Sequence, residues 1–324
     1  MNLHDIPRVN LAYLPTPLER MNRLTDHLGG PELWIKRDDL TGLAFGGNKT
    51  RKLELLLADA VHNQCRLLLT RGAPQSNHCR QTAAAAARMG LDCSLILTGK
   101  PPALDSGNLL LDQLMGAHLI WTGEEDPDEV LGNRYQDAVA AGREPYLIPY
   151  GGSNVLGATA YVLAMEELAA SGQEFDRIVV ATSSGGTQAG MLAGAAAARL
   201  STRVTGISVD PTRVELHARI SPLLDEILTW LELSPEHEPE IDIIDEYLGK
   251  GYAVVGAAER EAIELFGRLD GILVDPVYTG RAAAGLIDLI RGGEIGRGER
   301  VLFWHTGGTP ALFAYPSTEI LTGK

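Results

Sequence analysis

Four short stretches put reactive or ligating residue types directly behind apolar runs. In "FGGNKTRKLE" (45–54) two glycines and Asn48 deliver Lys49 onto the start of a helical pattern, with Arg51 and Lys52 behind it. A surface lysine has no need of that setting. A lysine amine that is partly buried beside like charge loses affinity for its proton and becomes a nucleophile, so the chemistry open to Lys49 is that of a Schiff base, with Arg51 and Lys52 as candidate neighbours.

The second stretch, "TSSGGTQAG" (182–190), follows the apolar run "IVVA" and opens an alanine-rich helix. Backbone N–H groups freed by Gly185 and Gly186, the hydroxyls of Ser183, Ser184 and Thr187, and the positive end of the helix suit a phosphate. Neither GxGxxG nor GxxxxGK[ST] is present, which speaks against a nucleotide-dependent dehydrogenase or a P-loop. In "QSNHCRQTAA" (75–84), Gln75, Ser76, Asn77 and His78 stand at the mouth of another alanine-rich helix and suit a carboxylate, with a plain N-cap by Ser76 or Asn77 as the alternative. The fourth region pairs "DPVYTGRAAAG" (275–285) with "FWHTGGTPAL" (303–312), which place Tyr278, Thr279, His305 and Thr306 at strand ends. A phosphate loop, a carboxylate loop and a lone lysine together are what pyridoxal 5'-phosphate and an amino acid require.

Those stretches need elements to position them. Short β-branched runs alternate with segments of helical period, the pattern of an α/β protein with parallel strands. The strands expected are 66–73, 93–99, 118–123, 146–152, 177–186, 204–209, 271–280 and 301–308; the helices are 51–64, 77–90, 107–116, 156–172, 187–200, 259–270 and 281–292. Residues 225–251 read as an acidic surface excursion. In open α/β sheets ligands sit beyond the carboxyl ends of strands, where all four stretches fall.

The net charge of −14 disfavours a nucleic-acid or anionic-membrane partner and leaves a small molecule. Three cysteines without paired spacing support neither a disulfide framework nor a metal site, and with no basic-then-apolar leader they point to a reducing cytoplasm.

The segments "LPTPLERMNRL", "WIKRDDLTGLAFGGNKTRKLE", "QSNHCRQTAA", "GGTQAG", "LVDPVYTGRAAAGLIDLI" and "HTGGTPALFAY" resemble the family of D-cysteine desulfhydrase and 1-aminocyclopropane-1-carboxylate (ACC) deaminase. That resemblance implies PLP fold type II, similar to the tryptophan synthase β subunit: two open, twisted, mainly parallel sheets with helices on both faces. It implies a large domain of residues 1–48 and 156–324, a small domain of 49–155, the cofactor in the cleft between them, and a homodimer. Lys49 would bind the cofactor and move the proton. Asn48, Asn77, Ser184, Gly185, Gly186, Thr187 and Thr306 would hold the cofactor. Gln75, Ser76, Asn77, His78, Tyr252, Tyr278 and Thr279 would face the substrate, with Ser76 and Tyr278 taking part in the chemistry.

Within the family, threonine at 279 and 306 points to the desulfhydrases rather than the ACC deaminases, because a neutral hydroxyl at the ring nitrogen makes a weaker electron sink than a carboxylate would. The activity expected is elimination of D-cysteine to pyruvate, hydrogen sulfide and ammonia. Alternatives are L-cysteate sulfo-lyase, then ACC deaminase, then a binding protein for PLP or a phosphorylated metabolite. Gln188 and Arg281 depart from the His and Lys more usual at those positions in the desulfhydrases.

Overall fold

The computed structural model describes residues 3–234 and 239–322. In chain order its strands and helices are β1 (Leu18–Arg20), α1 (Asn22–Leu28), β2 (Glu32–Arg37), α2 (Asn48–His62), β3 (Leu67–Gly72), α3 (Asn77–Met89), β4 (Asp92–Leu97), α4 (Gly107–Leu114), β5 (His118–Trp121), α5 (Pro127–Ala140), β6 (Pro145–Leu147), α6 (Val155–Ala170), β7 (Arg177–Thr182), α7 (Gly186–Ala197), β8 (Arg203–Ser208), α8 (Arg213–Trp230), β9 (Asp242–Ile244), α9 (Ala257–Asp270), α10 (Thr279–Arg291), β10 (Arg300–His305) and α11 (Ser317–Ile320).

Two sheets result. One runs β1-β2-β10-β7-β8-β9 and the other β5-β4-β3-β6; every pairing is parallel except β1 with β2. Helices cover both faces, and the two-residue period of a strand shows it directly: along β10, Leu302 and Trp304 enter one apolar cluster while Val301 and Phe303 enter another. In β3, Leu68 packs on one side and Leu67 and Leu69 on the other. This is the α/β class read from the sequence.

One expected strand is absent. Residues 271–278 form no ladder, because Asp275 folds the chain back on itself: its carboxylate accepts the backbone N–H groups of Val277, Tyr278 and Thr279 at 2.8 to 2.9 Å, and its own N–H goes to Thr279 Oγ1. Residues 146–152 are strand only as far as Leu147 and then turn through Tyr150–Gly152. The stretch 225–251 holds the end of α8 and, in β9, a strand that completes the larger sheet.

Candidate active site

Lys49 lies in the first turn of α2, and the approach to it is unusual. Ala44, Phe45, Gly46 and Gly47 have φ of 43°, 67°, 63° and 130°, a left-handed run that non-glycine residues rarely adopt. Gly47 is needed for a close approach: a Cβ there would lie 2.5 Å from Gln81 Nε2 and 3.1 Å from the Thr306 carbonyl. The Asn48 N–H donates to that carbonyl at 2.9 Å, tying the start of α2 to the end of β10. The glycines thus serve backbone packing between two site loops.

The Lys49 amine donates to the Gly151 carbonyl at 2.9 Å, and burial brings its pKa down to about 8 against an opposing bond to Lys52. Lys52, fully buried, reaches the same carbonyl at 3.2 Å and Ser153 Oγ at 3.3 Å; burial and then the charge of Lys49 hold its pKa well below the lysine norm. Arg51 is no part of this pair. Its guanidinium turns away to Asp38 and Glu167, where Asp38 also accepts from Tyr161 (2.6 Å), Trp304 (2.8 Å) and Thr16 (2.9 Å), and Lys36 pairs with Glu167. This buried cluster pins the first turn of α2 to β2, α6 and β10.

Opposite the lysine, β7 ends in Thr182–Ser183–Ser184–Gly185 and α7 begins at Gly186. Ser184 Oγ is 2.8 Å from Ser153 Oγ, and Asn48 Nδ2 donates to Thr187 Oγ1 at 3.1 Å, so the loop is held from both sides. Gly151, at φ 66°, lets Ser184 and Lys49 close in on the backbone: a Cβ there would overlap Ser184 Oγ and come within 3.2 Å of the Lys49 amine.

The third wall is the start of α3. Ser76 caps the helix by accepting from the Cys79 N–H at 3.2 Å, and Asn77 and His78 follow. His78 has a fixed tautomer: the Thr70 hydroxyl donates to the Ile148 carbonyl, so its oxygen accepts the His78 Nε2–H at 2.9 Å, leaving Nδ1 a buried acceptor without a partner among the described residues. Burial, then the charges of Lys49 and Lys52, keep that imidazole neutral.

Tyr278 closes the pocket beside Thr306. Its hydroxyl is 2.7 Å from that of Tyr252, the rings meet edge to face, and burial followed by the neighbouring tyrosines holds its pKa well above the phenol norm. His305 is structural: Nε2 donates to the Leu273 carbonyl and Nδ1 accepts from the Gly307 N–H.

One pocket therefore gathers Asn48, Lys49, Ser76, Asn77, His78, Ser184, Gly185, Thr187, Tyr278 and Thr306. Gln75, Gly186, Tyr252 and Thr279 lie outside its lining. Gln75 spends its amide on the Ser106 carbonyl and the Asn108 N–H, and the Thr279 hydroxyl belongs to Asp275. The two unusual positions also lie apart from it: Gln188 bonds the Asp242 carbonyl behind α7, and Arg281 pairs with Glu259 and holds the carbonyls of Gly251 and Val254 around Tyr252. Tyr150, Gly151 and Thr182 also line the pocket, beyond the residues their sequence pattern marks. The signal for the first two was present in "YLIPYGGSN", another apolar run ending in glycines before a helix.

A buried lysine of lowered pKa faces a glycine- and hydroxyl-lined helix start across one pocket, with the polar start of a second helix as its third wall, an arrangement suited to an anionic small molecule beyond the carboxyl ends of an α/β sheet. The chain belongs to the pyridoxal-phosphate dependent enzyme family, whose model matches residues 9–307. It is 42% identical over 323 residues to a D-cysteine desulfhydrase of Klebsiella pneumoniae, covering 97% of this chain and 98% of that protein. It is 41% identical over 322 residues to the D-cysteine desulfhydrase of Yersinia enterocolitica, covering 97% of each. The crystal structure of an ACC deaminase homologue superposes with a TM-score of 0.90 at 38% identity, covering 98% of this chain and 96% of that one. A pyridoxal 5'-phosphate-dependent aspartate racemase shares the fold, with a TM-score of 0.65 at 17% identity over 90% of each chain. The site fits the cofactor: the Thr182 hydroxyl, buried and without a hydrogen-bond partner among the described residues, borders the cradle of Ser184, Gly185 and Thr187, in the same pocket as the lysine.

Proposed function

We propose that this chain eliminates hydrogen sulfide from D-cysteine. The observation that carries the proposal is the Lys49 amine, brought to a pKa of about 8 and aimed into a pocket whose far wall is the 184–187 cradle. The names of the 42%-identical relatives support the choice of substrate.

Bound there, pyridoxal 5'-phosphate supplies an aldehyde for the substrate amine and a ring that withdraws electrons from Cα. Ser184, Gly185 and Thr187, with the backbone of Gly186 behind them, would hold its phosphate; Asn77 would meet its ring oxygen and Thr306 its ring nitrogen, while Asn48 braces Thr187. Ser76 and Asn77 receive the substrate carboxylate at the positive end of α3, with Gln75 fixing their loop. Lys49 removes the Cα proton; the electron pair forms the Cα–Cβ double bond as the Cβ–S bond breaks. Tyr278, protonated and partnered by Tyr252, donates to the departing sulfur. Water then hydrolyses the unsaturated amine to pyruvate and ammonia, so D-cysteine and water give pyruvate, hydrogen sulfide and ammonia with no change of oxidation state overall.

The domain division belongs to the same reading: 49–155 as the smaller unit, carrying the four-stranded sheet, and 1–48 with 156–324 as the larger, with walls of the pocket drawn from both. So do a homodimer and a cytoplasmic location, with which three unpaired cysteines agree. Among the described residues no helix is long and apolar enough to cross a membrane.

The test is a panel of D-cysteine, L-cysteine, L-cysteate and ACC, assayed for keto acid and for the sulfur product. Equal amounts of pyruvate and sulfide from D-cysteine, at the highest kcat/KM of the four, are expected. Sulfite from L-cysteate or turnover of ACC as the preferred reaction would overturn the assignment.

A further inference from the structure

Asn77 lines the pocket, and what it offers there depends on which way its amide faces. Three buried groups decide that. Arg80, wholly buried, is a donor only; its NH1 reaches Asn108 Oδ1 at 2.8 Å and Asn77 Oδ1 at 3.2 Å, and its NH2 reaches the Gly46 carbonyl at 2.6 Å. The Gln75 carbonyl is an acceptor only, and Asn108 Nδ2 donates to it at 2.7 Å. Asn108 is therefore held with its oxygen toward Arg80 and its nitrogen toward Gln75, and that nitrogen also donates to Asn77 at 2.9 Å. The Asn77 atom that meets two donors has to be its oxygen. Its NH2 group is left at the pocket with no protein partner among the described residues.

We propose that Arg80 and Asn108 are positioning residues that lock Asn77 as a hydrogen-bond donor toward the cavity, so that the site selects an oxyanion at that point and rejects a hydroxyl that must donate. The inference rests on the functional reading above, in which Asn77 faces the ring oxygen of the cofactor, and it assigns the geometry to two residues that touch neither cofactor nor substrate. A donor stabilises the ionised ring oxygen and, through it, the form of the chromophore in which the neighbouring nitrogen has given up its proton. If Asn77 turned over, an acceptor would face that oxygen and the effect would reverse. The bond from Arg80 to Gly46 carries the same lock to the loop before Lys49.

The test uses the full chain loaded with pyridoxal 5'-phosphate and reads the pH midpoint of its visible absorption band. Asn108→Leu removes the donor to Asn77 without adding charge; Asn108→Asp keeps the shape and puts an acceptor beside the Asn77 oxygen. The midpoint is expected to rise in Asn108→Leu and to rise further in Asn108→Asp, by about one unit or more, a tenfold tighter hold on the proton. A purely structural role would lower the thermal midpoint and leave the spectral one in place, and that result in both variants overturns the lock. A shift in Asn108→Asp alone also overturns it, since added charge would then be the cause. Arg80→Met gives an independent second arm should either Asn108 variant fail to fold, with the same upward shift expected. Failure of the unsubstituted chain to show any cofactor band would overturn the functional reading itself, which separates the two failures.

Discussion

Asp38→Asn changes one atom, and the structure gives it a large effect. Five donors converge on this fully buried carboxylate: Oδ1 accepts from Thr16 and Arg51 NH2, and Oδ2 from Arg51 Nε, Tyr161 and Trp304. Burial pulls the carboxyl toward protonation, but the charge of Arg51 and these hydrogen bonds outweigh it, so its pKa lies below the ordinary aspartate value. Asparagine has one acceptor, so its NH2 must face at least two of those donors whichever way it turns, and Arg51 loses its fully buried counter-ion. Breaking a buried pair from one side costs about 3–5 kcal/mol. At about 2.1 cal/mol/K of unfolding entropy per residue, that is a fall in the thermal midpoint of roughly 4–7 °C for a chain of this size. Because Arg51 lies two residues after Lys49, the loss also frees the first turn of α2, and a drop in kcat of roughly tenfold or more is expected from misplacement of the amine. The depressed pKa sets the pH window: stability from the ionised form is complete above the unfolded value and is lost as pH falls through the lower folded value. The gap between the parent and Asp38→Asn should therefore hold down to about pH 4, the unfolded value, and narrow only as pH falls further. Denaturant melts across pH 3 to 8, with D-cysteine turnover at pH 7, check both parts. A loss under about 1 kcal/mol at pH 7, the range of an exposed ion pair, would refute the reasoning.

Three other outcomes follow from particular side chains. Asp112 is fully buried, neither of its oxygens has a hydrogen-bond partner among the described residues, and burial pushes its pKa up to about 8; an acid whose folded pKa is raised binds more protons folded than unfolded, so stability should fall as pH rises from about 4 to 8, and Asp112→Asn should flatten that slope in denaturant titrations. Gly151→Ala drives a Cβ into the Ser184 side chain and strains a φ of 66°, so cofactor affinity measured by equilibrium dialysis should fall at least tenfold while the chain stays folded. Tyr278→Phe keeps the ring and removes the hydroxyl bonded to Tyr252, and should lower kcat for D-cysteine by about 10²-fold with little change in KM, as expected of a proton donor acting in the transition state.

The parts of this protein legible in its sequence were those where a strand, a glycine-rich loop and a helix follow one another. β3 with α3, β7 with α7 and the loop before α2 announced both the fold and the pocket, since their residue types have local physical reasons. The harder parts depended on distant partners. β2 reads as "ELWIKR", too charged for a buried strand until Lys36 is seen paired with Glu167 in α6 and Arg37 with Asp39 and Glu19. The run 271–278 is apolar enough for a strand, but Pro276 lacks a ladder donor and the Asp275 carboxylate takes the N–H groups that follow it. The family resemblance turns Thr279 toward the substrate, yet its hydroxyl is taken by Asp275, a commitment four residues away that composition does not reveal. Arg51 and Lys52 both looked able to press charge on Lys49; the turn of α2 sends Lys52 toward it and Arg51 away.

The central claim is that Lys49, and not its buried neighbour Lys52, is the residue that takes the cofactor. Both amines reach the Gly151 carbonyl, at 2.9 and 3.2 Å, so the two are close competitors. Borohydride reduction of the loaded protein, followed by peptide mass spectrometry, separates them by the fragment that carries the added mass. The reduced cofactor is expected on Lys49 alone, with Lys49→Ala losing both the adduct and the visible band. An adduct on Lys52, or a Lys49→Ala protein that keeps its band and its turnover, would contradict the account.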